Sequence, residues 1–392
     1  MYMFLSQKKH TRYGIAFDCG TATVKAALFS FNSSHPEKPP TILQKIHIPI
    51  QTADVITTGV LERKIFSALR HVLENVAKSH QCSLIHIGLS SPLYISQAIR
   101  LTYKREKPHV PIDTQEIKTL MNRGEQEFRK IALPLRKEHG FVVFSRSLLQ
   151  SSVNGYHVQE PVGVQGKTIE IYARYEATTT SIAKKFHDSI ENHFPGCPIQ
   201  FTSISLVNFY MLHMLYPTHA DMIYIDIGGE VTDISIIDNS MLERVITVAV
   251  GSNGLARNIQ EVCRISYNDA LFLLKRFGEG TLEEKYKKVL GEAAKSFMKE
   301  WKSGISEKLG PYIKEHGMSP SILVGGGGAL VPLYAEAISK EFLEELAVAG
   351  NPSIEVVSMR SFEPYVILGG PTTDISDFNL LCLMTAPKPK SL

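Results

Sequence analysis

The sequence is poor in the features that mark whole classes of protein. Its five cysteines, Cys19, Cys82, Cys197, Cys263 and Cys382, lie far apart with no CxxC pair. That argues against a zinc site or a disulfide framework and fits a reducing cytoplasm. No run of about eighteen apolar residues occurs, so no membrane-spanning helix is expected. Met1–Leu5 is too short to be the apolar core of a signal peptide. Net charge is only +3, so charge alone implies no polyanion, and no nucleic-acid partner is expected. The basic runs at 104–107 and 285–288 read as solvated faces. What remains is an ordinary globular balance, 44% hydrophobic and 21% charged over 392 residues, long enough for about two or three domains.

The strongest local pattern lies at 222–237. A buried strand, Met222–Ile227, ends at Asp226 and a Gly228-Gly229 turn, and a second strand returns over Ile234–Ile237. A second copy stands near the N-terminus. Tyr13–Phe17 leads to Asp18, Gly20 and a returning strand, so Asp18 and Gly20 match Asp226 and Gly228. The chain reads as duplicated.

Around these hairpins the pattern alternates between strand and helix, which predicts an α/β layer architecture. Strands are expected at 41–50, 84–90, 168–177, 241–250, 321–324 and 354–359. Helices are expected at 59–78, 114–130 with Asp113 or Thr114 as cap, 180–194, 251–262, 267–277, 281–309 and 333–346. Ile204–Leu215 is strongly apolar. Between about Ser91 and Gly166 polar and basic residues rise, and strands at 141–149 and 153–157 suggest a small inserted α+β subdomain. The end of the chain reads as a weak tail.

Three glycine turns, each directly after a buried strand, carry the chemical signal. Successive backbone N–H groups in such a turn can face one concavity and cradle phosphate oxygens, and glycine permits close approach. Thr21, Thr23 and Thr232 could add hydroxyl donors, and Lys25 could reach the β- or γ-phosphate as a point charge. Asp18 and Asp226 could hold the water shell of one Mg²⁺, which asks for few carboxylates. The third turn, Gly325–Gly328 before Ala329-Leu330-Val331-Pro332, could let a nucleoside lie on backbone at Gly326 and Gly327.

These residues resemble a known set. Asp18-Cys19-Gly20-Thr21 with Lys25, Asp226-Ile227-Gly228-Gly229 with Thr232-Asp233, and Gly326–Pro332 are similar to the two phosphate motifs and the adenosine motif of the superfamily of actins, heat-shock chaperone ATPases and sugar kinases. Within it the chain looks most like the FtsA family of bacterial cell division, with the type IV pilus family PilM as near relative. Glu160–Glu170 and Val248–Ile259 match segments of that branch. The resemblance implies a two-lobed actin-like ATPase fold built from duplicated ribonuclease H-like domains. It also implies an inserted FtsA-type subdomain (1C) at 82–167. The other expected divisions are 1A over 1–81, 168–203 and 370–392, 2A over 204–253 and 317–369, and 2B over 254–316. It implies ATP and Mg²⁺ as cofactors and adds Lys275 as a contact to the ribose or adenine edge.

Two departures shape the functional expectation. Glu230 and Val231 stand where the family usually has glycine and threonine, and a carboxylate beside a polyphosphate is repelled unless turned away. The segment 204–216 holds no carboxylate and no glutamine, which leaves Asn208 as the only amide able to orient an attacking water. ATP binding with slow or absent hydrolysis is therefore expected. Pro387-Lys388-Pro389-Lys390 cannot form an amphipathic anchor helix, so contact with the cytoplasmic face of a membrane is expected through partners. The leading expectation is a cytoskeletal scaffold that self-associates into filaments and recruits an FtsZ-like division protein. The alternative is a pilus-assembly scaffold of the PilM kind. A sugar-kinase phosphotransferase would need an acid to deprotonate a substrate hydroxyl, and a heat-shock chaperone would need a substrate-binding domain after the ATPase core; the sequence offers neither.

Overall fold

Alternation along two apolar hairpins builds two sheets of identical order. The computed structural model describes residues 11–35, 37–50, 57–76, 81–132, 140–350, 352–368 and 374–385. Its first part contains β1 (Thr11–Cys19), β2 (Thr23–Asn32), β3 (Thr41–Pro49), α1 (Thr58–Asn75) and β4 (Cys82–Leu89). Then come β5 (Ile95–Lys104), α2 (Thr114–Ile131), β6 (Phe141–Val153), β7 (Tyr156–Val158) and β8 (Thr168–Thr179). Next are α3 (Thr180–Glu191), β9 (Ile199–Ser203) and α4 (Ile204–Leu215). The second half has β10 (Met222–Ile227), β11 (Thr232–Asp238), β12 (Met241–Val248), α5 (Ser252–Cys263), α6 (Tyr267–Gly278) and α7 (Glu284–His316). It closes with β13 (Ser321–Gly325), α8 (Pro332–Ala337), α9 (Lys340–Glu345), β14 (Ile354–Val356) and α10 (Phe378–Thr385).

One sheet runs β3-β2-β1-β4-β9 and the other β12-β11-β10-β13-β14. In each, the first three strands are antiparallel and the last two join in parallel. The duplication read from two hairpins therefore extends to all five strands of each lobe.

Side chains alternate between sheet faces with period two, and this parity places the cores. Ile15 and Phe17 of β1 face outward onto α1 and α3, while Ala16 faces the centre. Ile223, Ile225 and Ile227 of β10 face outward onto α5, α6 and α7, while Met222 and Tyr224 face the centre. The central core packs α4 and α10 between the two sheets. α4 is buried nearly all round, as expected of a helix between two layers. Asp18 shares the parity of Ala16, and Asp226 that of Tyr224, so both acids face the centre.

A third sheet, β5-β8-β6-β7, is antiparallel throughout and carries α2 on one face. It overlaps the stretch where the inserted subdomain is expected. β4 pairs with β1 and β9 in the first lobe, and β8 pairs with β5 and β6. The strands of this third sheet fall within 95–179, against an expected inserted subdomain of 82–167.

Other elements differ from expectation for local reasons. Asn154 and Gly155 both have positive φ (53° and 83°), the type I′ requirement for a two-residue hairpin, so β6 runs unbroken to Val153. The helix expected over 333–346 breaks in two because the Ser339 hydroxyl accepts from the Phe342 N–H and caps a new start. The supposed weak tail contains α10, whose Phe378, Leu380, Leu381 and Cys382 are buried. The proline-rich residues after Thr385, and 369–373 with them, lie outside the described residues. No helix among the described residues is long and apolar enough to cross a membrane.

Candidate functional site

The two acids end equivalent strands. Asp18 pairs across its hairpin with Lys25, and Asp226 with Asp233, so four charged side chains share the central faces of two opposed sheets. Asp18 and Lys25 are about 5% and 6% exposed. Together with Gly20, Thr21, Gly228 and Gly327 they line a cavity of about 90 Å³ that also takes in Thr23, Gly229 and Asp233. A larger groove of about 800 Å³ lies behind α4 and α10, lined by Phe29, Tyr210, Met214, Tyr365 and Leu383 among others. It has neither a carboxylate pair nor a glycine turn; most of the expected site residues line the smaller cavity instead.

The two phosphate-type turns touch. The Thr21 hydroxyl accepts from the Glu230 N–H at 2.9 Å, and a Cβ on Gly229 would lie 2.6 Å from the Ala22 Cβ and 2.7 Å from its nitrogen. The missing side chain at Gly229 thus admits the opposite turn, a different use from the phosphate approach expected of it. The first N–H groups of α5 are also taken: Ser252 and Asn253 donate to the carbonyls of Gly228 and Gly229 at 2.9 and 2.8 Å. A volume of about 90 Å³ suits a hydrated ion and falls below the roughly 300–1,000 Å³ of ordinary ligand pockets.

A segment to which no site role was expected, 374–379, closes the cavity. Lys25 Nζ donates to the Ser376 carbonyl, and Asp377 accepts from Lys45 at 2.7 Å and pairs with His47 at 2.9 Å. Asn379, on α10, donates to Asp226 Oδ2 at 3.1 Å and accepts from Asn208 at 2.9 Å. The Asn208 NH₂ is thus committed to Asn379, while its buried Oδ1 has no hydrogen-bond partner among the described residues. The signal for this segment was present: Asp374 caps a short turn ahead of an apolar helical run.

Electrostatics follow from burial. Burial raises the Asp18 carboxyl to about 6, with Lys25 opposing and Asp377 adding to the rise. Burial raises Asp226 to about 7; the like charge of Asp233 adds to this, and the Asn379 amide opposes it. Asp233 is also raised by burial, against hydrogen bonds from Thr247 (2.6 Å) and Ser91. Asp377 goes the other way: although burial raises it, His47, Lys45 and Lys25 bring it down to about 2.

The residues fit a hydrated divalent cation. Asp18 Oδ1 is buried with no hydrogen-bond partner among the described residues. Those residues contain no group of three or more His, Cys, Asp or Glu able to cage an ion directly. Two carboxylates and retained waters match the habits of Mg²⁺.

Two expected contacts lie elsewhere. The Thr232 hydroxyl donates to the Val250 carbonyl at 2.8 Å and accepts from the Trp301 indole at 3.0 Å. It is fully buried in the outer layer because its parity opposes that of Asp226 and Asp233. Thr232→Val should leave both partners unsatisfied and cost about 1–3 kcal/mol, read by urea unfolding on the fluorescence of the sole tryptophan, with little change in ligand affinity. Lys275 is 74% exposed on α6 and pairs with Glu279 of its own helix at 3.8 Å. Its helix does approach the third turn, since a Cβ on Gly278 would lie 2.3 Å from the Leu330 carbonyl. Gly326 forms that turn's entry with φ of 81°. Glu230 is turned away from the cavity, bound by Arg257 at 3.0 and 2.8 Å and by Asn253 at 2.8 Å.

No family profile matches the sequence, and neither does any curated protein. Among solved structures, the chain is similar to a PilM–PilN type IV pilus biogenesis complex at 14% identity, covering 95% of this chain and 97% of that one, TM-score 0.62. It also matches the ethanolamine utilization protein EutJ of Carboxydothermus hydrogenoformans at 11% identity over 96% and 90% of the two chains, TM-score 0.47. A third match is MreB5 of Spiroplasma citri bound to ADP, at 13% identity over 95% and 94%, TM-score 0.44. At such identities the likeness speaks to fold alone. The fold is the two-lobed actin-like ATPase fold.

Proposed function

We propose that the chain binds ATP with Mg²⁺ between its lobes and acts as a nucleotide-dependent assembly scaffold. The observation that supports this best is the pair of acids, Asp18 and Asp226, ending equivalent strands of duplicated sheets beside glycine turns and facing one cavity. In this reading both acids hold the metal through its waters. Backbone of Gly20, Thr21, Gly228 and Gly229 and the Lys25 ammonium meet phosphate, Thr23 lends its hydroxyl, and Gly326 and Gly327 bear the nucleoside. The metal's contribution is to neutralise phosphate charge.

Entry of the phosphates separates Ala22 from Gly229, breaks the Thr21–Glu230 bond and takes Lys25 from Ser376. Ligand binding is thereby tied to lobe arrangement, which is what a scaffold needs. Turnover is slow, because α4 offers no carboxylate or glutamine to orient an attacking water. The assembled form self-associates or recruits partners in cell division, as FtsA-type proteins do. A pilus-assembly role is the second reading, supported by the likeness to the PilM–PilN complex over nearly the whole of both chains.

Asp226→Ala should weaken Mg²⁺–ATP binding at least tenfold by calorimetry, in line with the loss of a metal-holding group. Unchanged affinity would count against the two-acid site. Sedimentation with ATP should show assembly or partner recruitment, and rapid phosphorylation of a small metabolite would sink the scaffold reading.

A further inference from the structure

We infer that Asn379 is a positioning residue for the metal-facing carboxylate of Asp226, and that Asn208 acts through it. This rests on the nucleotide reading above and adds the residues that orient its metal site. Three side chains from α4, α10 and β10 form one chain of hydrogen bonds: Asn208 Nδ2 to Asn379 Oδ1 at 2.9 Å, and Asn379 Nδ2 to Asp226 Oδ2 at 3.1 Å. Asn208 is 1% exposed, and Asn379 reaches the cavity wall.

The polarity of this chain is dictated by its end. With a cation bound Asp226 is ionised, and an ionised carboxylate only accepts hydrogen bonds, so Asn379 presents its NH₂ to Asp226, as it does in the structure. Its carbonyl oxygen then faces Asn208, which must answer with its own NH₂. Each amide removes the freedom of the next to flip. With Oδ2 held in this way, the torsion of the Asp226 carboxylate is set and Oδ1 lies on the Gly326 side, where a Cβ on that residue would come within 2.2 Å of it. Among the described residues no amide holds Asp18 in the same way, and its Oδ1 is without a hydrogen-bond partner there. The two acids are therefore not equivalent: Asp226 is pre-oriented and Asp18 adapts. Outer partners that orient metal-holding groups typically change metal affinity about 10–100-fold when removed.

The test compares the affinity of the full chain for ATP in chelator with its affinity for Mn²⁺–ATP, by calorimetry, with Mn²⁺ paramagnetic resonance as the direct readout of bound ion. Asn379→Ala should cut the metal-dependent gain about tenfold and leave metal-free ATP affinity unchanged, which also shows that the variant is folded. Asn208→Ala should give a smaller loss of the same kind, and the double variant should be no worse than Asn379→Ala alone. Equal loss with and without metal, additive losses, or no loss would overturn the inference while leaving nucleotide binding standing. A wild-type chain that binds neither ATP nor Mn²⁺–ATP would overturn both.

Discussion

Without divalent cation, the protein should lose stability as pH rises from about 5 to 8, and Mg²⁺ should restore it at pH 8 but hardly at pH 5. The sign follows from where the two carboxyls titrate. Asp18 and Asp226 have a reference value of 3.8 and rise in the fold to about 6 and about 7. Between those limits the native chain holds more protons than the unfolded one, so stability falls with rising pH. Their contribution is complete below about 4 and is lost as pH passes through about 6 and then about 7. Asp233 is raised in the same direction. Asp377, brought down to about 2, loses its contribution only at lower pH, outside this window. Each tenfold change in proton affinity between the unfolded and folded chain is worth about 1.4 kcal/mol, so between pH 5 and 8 the two acids together lose a few kcal/mol. A cation bound between them favours their charged forms and reverses the loss. Thermal unfolding in chelator and in millimolar Mg²⁺ at pH 5 and 8 measures this directly. A melting point that is flat or rises with pH in chelator would refute it. Asp226→Asn should flatten the slope, since the amide removes one titrating group.

The legible part of this site was the part governed by local periodicity. Strand parity sends Asp18 and Asp226 to one face and Thr232 to the other. The parity was present in the sequence, but reading Thr232 as a hydroxyl donor neglected it. Gly229 shows a different limit: that its missing side chain admits Ala22 depends on how two turns remote in sequence approach each other. Glu230 looked like an obstacle to polyphosphate, yet Arg257 and Asn253, on one face of the following helix, hold it aside. Charge compensation across 27 residues leaves no periodic trace. Ser376 and Asn379 lie farther still from the strands they serve, and α10 is too short for its apolar pattern to outweigh a Pro- and Thr-rich approach. The lobes were readable because each repeats its own local rule. Their junction is made of pairings between distant segments, and pairings of that kind have no period.

The sharpest separation of fold from ligand should come from two adjacent glycines. Gly326→Ala is expected to destabilise the protein by about 3–5 kcal/mol, on two counts. Its φ of 81° with ψ of 172° belongs to a region essentially restricted to glycine, costing about 1–3 kcal/mol for any other residue. A Cβ there would also lie 2.7 Å from the Ile227 carbonyl oxygen, 2.8 Å from the Ile227 nitrogen and 2.2 Å from Asp226 Oδ1. The Ile227 atoms are backbone of a central strand and cannot yield without moving β10, and the carboxylate is the one held by Asn379. Gly327→Ala meets none of this: its nearest neighbour would be the Ser376 Cβ at 3.8 Å, an ordinary contact. That variant should fold with less than about 1 kcal/mol of change. If the nucleoside lies on this turn, the added methyl group occupies its place and ATP affinity falls severalfold or more while the melting point holds. Urea unfolding and ATP titration of the two variants decide it. A stable Gly326→Ala protein would contradict the turn geometry, and a Gly327→Ala protein with full ATP affinity would move the nucleoside away from the third glycine turn.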